Sequence, residues 1–207
     1  MCQNRKPINP ARDSSPANSI EFSRESSRGR KIEKRTRRHL KPTNGSWKVD
    51  ETYVKVKGEW KYLYRAIDSE GNTLDFMLSA RRNKDAAKRF FKKVLKSRQN
   101  KQPRVINTDK DKAYPPAIKE LKEEKLLDND TELRRVKYLN NRIEQDHRGV
   151  KRITNAGLGY QSFHTAWRTI RGIETMHMIR KGQVKNVSKG DSVSKKEFVE
   201  SLFGIAA

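Results

Sequence analysis

The stretch SWKVDETYVKVKGEWKYLYRAIDSEGNTLDFMLS, residues 46–79, decides the fold. Its three runs rich in Val, Tyr, Trp and Thr predict strands over Ser46–Lys57, Trp60–Asp68 and Thr73–Ser79. The breaks between the runs are short, and Gly71 in the second break supplies the positive φ that a hairpin turn can need. Three consecutive strands joined by short turns predict an antiparallel meander.

Helical and strand patterns alternate after the meander, and apolar residues recur there at helical spacing. The elements predicted in order are a helix capped by Asn83, a strand over Pro103–Asp109, a helix from Pro115, a strand over Leu133–Tyr138, a helix over Tyr138–Arg152 and a helix capped by Ser162. A meander followed by strand–helix–strand units implies an α/β fold, with a mixed five-stranded sheet flanked by helices.

The chain carries a net charge of +23, from 48 Lys and Arg against 25 Asp and Glu. Such an excess indicates a polyanionic partner, nucleic acid ahead of an anionic membrane. No apolar run is long enough to span a membrane and no signal-peptide pattern is present, so we expect a soluble intracellular protein and no membrane partner. Cys2 is the only cysteine, which excludes an intramolecular disulfide and a cysteine-based zinc site.

The two ends of the chain differ in amino-acid composition from the middle. Residues 1–30 are rich in Ser, Arg, Asn and Pro, which predicts a disordered basic tail. Residues 31–45 include a cationic run that fits either a linker or a short helix lying on DNA. We expect the catalytic domain over residues 46–182 and a C-terminal extension over residues 183–207.

Three acids stand out by their positions. Asp50 lies inside the first strand, Asp109 ends the fourth, and Glu144 lies on the helix after the fifth. If the first and fourth strands are neighbours, Asp50 and Asp109 lie side by side, and the helix can bring Glu144 to meet them. Three such carboxylates repel one another unless a cation neutralises them, and Mg²⁺ or Mn²⁺ prefers oxygen ligands.

The spacing leaves alternatives open. Glu51 competes with Asp50, and Asp111 competes with Asp109. Glu144 also fits a solvated helix in which it pairs with Arg148 one turn later.

Two further sets of side chains allow two roles each. Asn140 and Asn141 can contact DNA, but a capping role at the helix start is favoured. Trp47, Trp60 and Trp167 can stack on bases, but their strand and helix positions favour packing in the core.

The segments WKVDETYVKVKGEWKYLYRAID (47–68), PRVINTDKDKAYPPAI (103–118) and VKYLNNRIEQDHRGVKR (136–152) resemble the three catalytic blocks of DDE transposases of the bacterial insertion sequence 6 family. The interval between Asp109 and Glu144 fits that family, and the segments TIRGIETMHMIRKGQ (169–183) and SLFGIAA (201–207) resemble its C-terminal region.

The resemblance implies a ribonuclease-H-like core, similar to that of retroviral integrases, and a catalytic, metal-holding triad of Asp50, Asp109 and Glu144. It implies metal-dependent DNA cleavage and strand transfer with two Mg²⁺ or Mn²⁺ ions. Lys151 is implied as a DNA contact, and it lies two helical turns after Glu144, on the same face. Arg148 and Arg152 are further candidates for binding phosphates.

The implied partners are the terminal inverted repeats of the element, target DNA and further copies of the chain. Members of the family usually carry an N-terminal helix-turn-helix region that grips those repeats, and residues 1–30 show no such pattern. This departure puts specific end recognition, and with it transposition by this chain acting alone, in question. The location that the resemblance implies is the bacterial cytoplasm, at the nucleoid. The alternative functions are a truncated, non-transposing DNA-binding product and a simple metal-dependent nuclease.

Overall fold

The computed structural model of the protein describes residues 32–156 and 159–205, so the basic tail predicted over residues 1–30 lies outside them. The strands are β1 (Ser46–Val56), β2 (Glu59–Asp68), β3 (Thr73–Ser79), β4 (Val105–Asn107) and β5 (Glu132–Arg134). They form one sheet in the order β3-β2-β1-β4-β5. The first three are antiparallel, and β4 and β5 run parallel to β1. The predicted mixed five-stranded sheet is confirmed.

Helices fill the predicted intervals after the meander, and two further helices lie near the ends of the described chain. They are α1 (residues 32–37), α2 (Lys84–Leu95), α3 (Tyr114–Glu123), α4 (Asn141–Ala156), α5 (Phe163–Arg180) and α6 (Ser192–Phe203), with a 3-10 turn over Lys137–Asn140 before α4. The side chains of Asn83 and Ser162 accept backbone N–H groups at the starts of α2 and α5, as predicted. Within the described part of the chain, every helix is too short or too polar to cross a membrane.

The alternation of side chains along β1 assigns each residue to one of two helical layers. Trp47 and Val49 point to the side covered by α2 and α3, where they are fully buried. Val54 and Val56 point to the other side, where they pack against Val150 and further residues of α4 and α5. Asp50 has the parity of Val54 and therefore faces α4.

A buried charge cluster fastens α4 and α5 to the sheet. Arg65 on β2 is fully buried and donates to both carboxylate oxygens of Glu174 on α5, at 2.6 and 2.9 Å, and to Asp146 on α4 at 2.7 Å. Asp146 also pairs with His177 and Lys181. Although burial alone would raise it, the pKa of Asp146 lies well below its usual value because these three cations or donors face it. The cluster fixes the register of the helix that carries Glu144.

Helix α6 closes a small apolar cluster at the end of α5. Its Leu202 is buried with Leu40, Met178 and Val184. The sequence shows only two apolar pairs here, over residues 198–199 and 202–203, so this helix was not predicted.

Two predicted strands are shorter in the structure. The fourth runs over Val105–Asn107 rather than Pro103–Asp109, because only these three residues pair with β1. The fifth strand ends at Arg134 rather than Tyr138, because its partner β4 offers only three residues for pairing. Leu126 and Phe163 are large apolar residues, yet each is 40% exposed. Helix α3 ends at Glu123, and the turn that follows releases Leu126 from the apolar face.

Candidate active site

The pairing of β1 with β4 brings two of the predicted acids together. Lys48 on β1 is in register with Asn107 on β4, and the strands are parallel. Asp50 and Asp109 follow two residues later on their respective segments, so they lie side by side. Single carboxylate oxygens of Asp50, Asp109 and Glu51 all lie within 4.8 Å of one another.

Two buried amides hold the β1 backbone just before Asp50. Asn107 Nδ2 donates to the carbonyl of Trp47, and Asn140 Nδ2 donates to the carbonyl of Val49, each at 3.2 Å. The Oδ1 atom of Asn140 is buried without a hydrogen-bond partner, so its predicted capping role is wrong. The 3-10 turn carries this side chain over the sheet, where it binds the strand instead of the helix start.

Asp50 is the most strongly perturbed acid of the group, and the pKa of Glu51 is also raised, chiefly by burial. Burial, followed by repulsion from Glu51 and Asp109 and a smaller effect of Glu144, raises its pKa to about 7. The Nδ1 atom of His147 lies 3.8 Å from Asp50 Oδ2. Burial, together with nearby cations, lowers the pKa of His147 to about 3. The neutral imidazole therefore brings no compensating charge to Asp50.

The competing acids are paired with protein groups. Arg82 Nη2 contacts Glu51 and lies 2.8 Å from Asp111 Oδ2 and 3.5 Å from Asp109 Oδ2. The Tyr114 hydroxyl donates to Glu51. Glu51 lies on the α2–α3 side of the sheet and is held by Arg82 and Tyr114. Asp50, on the α4 side, faces the neutral ring of His147.

Glu144 lies outside this group of three. It is exposed on α4, and its carboxylate is not among those that lie within 4.8 Å of one another. It is near enough for its charge to raise the pKa of Asp50. His147, almost one turn later, occupies the buried position that faces Asp50. The structure thus brings Asp50 and Asp109 together and leaves Glu144 at the rim.

The predicted phosphate-binding cations are all exposed on α4. Lys151 contributes to the lowered pKa of His147, so its charge lies near the ring that faces Asp50. Arg152 lines a groove between α4 and α5 with a volume of about 670 Å³, and Asp50 is not among the lining residues. Arg148 is exposed on the same helix.

Comparisons with known proteins show the family to which the chain belongs. Residues 44–183 match the DDE domain of IS240-type transposases. The chain belongs to the DDE transposases of the insertion sequence 6 family. It is 43% identical over 136 residues to two Staphylococcus aureus proteins, the transposase for insertion sequence-like element IS431mec and the transposase for insertion sequence element IS257 in transposon Tn4003. Each alignment covers 65% of this chain and 58% of the relative, so the chain spans less than two thirds of their length.

A solved structure supports the fold of this DDE transposase chain. The catalytic core of HTLV-2 integrase in complex with magnesium (trimeric form) superposes with a TM-score of 0.50 at 16% identity. The match covers 72% of this chain and 91% of the integrase chain. The expected ribonuclease-H-like fold is confirmed.

Sequence reasoning missed the residues that arrange the acids of this DDE domain. Arg82 follows β3 in an ordinary basic run, and Tyr114 begins α3. Neither position has a local pattern that marks it, because each meets Glu51 only through the folded sheet. His147 follows Glu144 by three residues on α4, and this helical spacing was the one available signal.

Proposed function

We propose that this chain is the catalytic domain of a DDE transposase that cleaves DNA strands at insertion-element ends and joins them to target DNA. The observation that carries the proposal is the meeting of Asp50 and Asp109 from adjacent parallel strands, in a chain of this family. Glu144, at the rim of the same site, would complete the triad. Residues 46–182 would form the catalytic domain, with residues 183–207 as an extension.

The donor set suits a hard divalent cation. The converging side chains offer only carboxylate oxygens, the ligands that Mg²⁺ and Mn²⁺ prefer. The pKa of Asp50 is raised first by burial and then by the charges of Glu51 and Asp109, and a cation bound there would offset both effects. We infer that Asp50, Asp109 and Glu144 hold two such ions. When bound, the metal would make a water or a 3′-hydroxyl nucleophilic and stabilise the departing oxygen.

The protein's own groups would position the DNA. Lys151 lies on the α4 face near the acids and would hold the phosphate next to the cleaved bond, with Arg148 beside it. Arg152 would bind a DNA phosphate farther from the cleaved bond, at the groove between α4 and α5. The net charge of +23 would supply sequence-independent affinity that falls steeply with salt. Element ends and target DNA would be the ligands, bound by more than one copy of the chain.

A joining assay tests the proposal. Purified full chain is incubated with Mg²⁺, a supercoiled target and an oligonucleotide duplex that carries the element end with its 3′-hydroxyl already exposed. The pre-cut end removes the need to find the element. The matched variants are Asp109→Asn and Asp111→Asn, because both acids contact Arg82 and only the first belongs to the triad.

We expect joining by the original chain and by Asp111→Asn, and its loss in Asp109→Asn. Cleavage without joining would assign the chain as a simple nuclease. DNA retention without either reaction, equal in all three proteins, would assign it as a DNA-binding product.

A further inference from the structure

The β1–β2 hairpin carries aromatic side chains on a face that no helix covers within the described chain. Tyr53 is in register with Tyr62, and Lys55 with Trp60. We call these four residues the aromatic face. Trp60 is 58% exposed and Tyr53 is 45% exposed, although strand positions favour burial of such residues. Helices α2 and α3 cover this side of the sheet as far as Tyr64, which is buried, and Tyr62 is partly buried at the edge of that core.

The rings form a connected, supported surface. The Tyr53 ring lies 5.5 Å from Tyr62 and 6.3 Å from Trp60, measured between centroids. The Lys55 ammonium lies 6.0 Å from the centre of the Trp60 ring. On the reverse side of the hairpin, the buried Val54 and its neighbours pack against α4 and α5. The rings therefore project from a strand pair that is fixed from behind.

The aromatic face continues from Glu51, which has a carboxylate oxygen within 4.8 Å of those of Asp50 and Asp109. Glu51, Tyr53 and Lys55 share one side of β1, and side chains on one side of a strand repeat at about 7 Å. The Tyr53–Tyr62 pair thus lies about 7 Å from Glu51, and the Lys55–Trp60 pair about 13 Å from it. Both distances are within reach of the nucleotides that adjoin a phosphate held at the carboxylates.

Charge favours a polyanionic occupant over a protein surface. Lys55 stands on the face, and Lys57 is exposed in the turn beyond it. Arg82 lies at the end of the face nearest Glu51. Burial alone would lower the pKa of Arg82, but the pKa is raised because Glu51, Asp111 and the phenol of Tyr53 face its guanidinium. Exposed aromatic rings flanked by cations match the alternation of bases and phosphates in an unpaired strand.

We propose that the aromatic face binds unpaired nucleotides, with a base stacked on Trp60 and the adjoining phosphate paired with Lys55. The nucleotides would belong to the strand that leads into the acidic site, an assignment that rests on the proposed function. The binding itself does not depend on cleavage.

The test measures binding without divalent metal, so that no reaction occurs. Full chain is titrated with a short single-stranded oligonucleotide at fixed salt, and affinity is compared among the original chain, Trp60→Ala, Trp60→Phe and Phe203→Ala. Phe203 is 56% exposed on α6 and serves as the control for removing an exposed ring. The same series is repeated with an abasic strand and with blunt duplex.

Trp60→Ala should bind the single strand about tenfold more weakly, because stacking contributes on the order of 1–3 kcal/mol per base. Trp60→Phe should retain most of the affinity, and Phe203→Ala all of it. The abasic strand should bind the original chain as weakly as it binds Trp60→Ala, and blunt duplex should not distinguish the variants. Melting temperatures should agree among all four proteins, because both rings are exposed.

Equal affinity of Trp60→Ala and the original chain for the single strand would overturn the inference. The inference would also be overturned if Trp60→Ala lost self-association, measured by sedimentation without DNA, while its affinity for DNA stayed unchanged. The face would then be an interface between copies. If joining fails while Trp60-dependent binding persists, only the proposed function falls.

Discussion

Replacing Asp50 by Asn should stabilise the metal-free protein at neutral and alkaline pH. Burial and the charges of Glu51 and Asp109 raise the pKa of Asp50 from 3.8 to about 7. The folded protein therefore holds a proton on Asp50 over a pH range in which the unfolded chain has released it. Asparagine keeps the shape of the side chain and removes the charge.

The sign and size follow from linkage. Between pH 3.8 and about 7 the folded state binds more protons than the unfolded state, so the free energy of unfolding falls as pH rises and levels off above about 7. The full pKa difference corresponds to about 4 kcal/mol. The Asp50 side chain is 15% exposed and solvent screens part of the repulsion, so we expect about 2 kcal/mol at pH 8. For a chain of this size that equals a rise in melting temperature of roughly 4–8 °C.

The assay is thermal unfolding at pH 4, 6 and 8 with a chelator present. Asp50→Asn should gain nothing at pH 4 and the full amount at pH 8, whereas Asp130→Asn, an exposed loop acid, should gain nothing at any pH. Adding Mg²⁺ should then stabilise the original chain more than Asp50→Asn, because a ligand stabilises only the state that binds it. A lower melting temperature for Asp50→Asn at pH 8 without metal would refute the reasoning.

Other predictions concern the frame around the site. Glu174→Gln leaves the buried guanidinium of Arg65 short of charge, and we expect a loss of about 3–5 kcal/mol in urea unfolding; a loss below about 1 kcal/mol would contradict the role of this pair. Gly149→Ala places a Cβ 2.8 Å from His177 Cε1, so either the His177 ring must leave Asp146 or α4 and α5 must move apart. We expect a cost of about 1–3 kcal/mol, and unchanged stability would show that the ring moves aside freely. Asn83→Ala removes the cap of α2 and should cost about 1 kcal/mol in the same measurement, with no change meaning that the cap contributes nothing.

The sheet could be predicted because its signals are local. Strand alternation, turn glycines and capping residues such as Asn83 can each be recognised from a few neighbouring residues. The structure confirms the strands, turns and cap that they predict. The end of β5 could not be read in this way, because its length depends on its partner β4 across the sheet. Helix α6 was missed because its few buried residues pack on a small cluster rather than on a continuous apolar stripe.

The residues of the site also differ in how far the local sequence predicts their positions. Asp50 and Asp109 could be chosen as candidates because each lies on or just after a strand, and parallel neighbours carry such residues to one place. The position of Glu144 depends on the rotation of α4, which the Asp146 cluster sets through contacts far apart in sequence. Arg82 could not be found at all, because its partners are acids brought to it by the fold.

The central claim is that Asp50, Asp109 and Glu144 share a divalent ion. The direct measurement is anomalous diffraction from crystals of the full chain soaked in Mn²⁺. We predict a manganese peak at about 2.2 Å from carboxylate oxygens of Asp50 and Asp109, with Glu144 among the ligands. A manganese peak bound by Glu51 and Asp111 instead would contradict the account. So would the absence of a peak at Mn²⁺ concentrations at which the rise in melting temperature has levelled off.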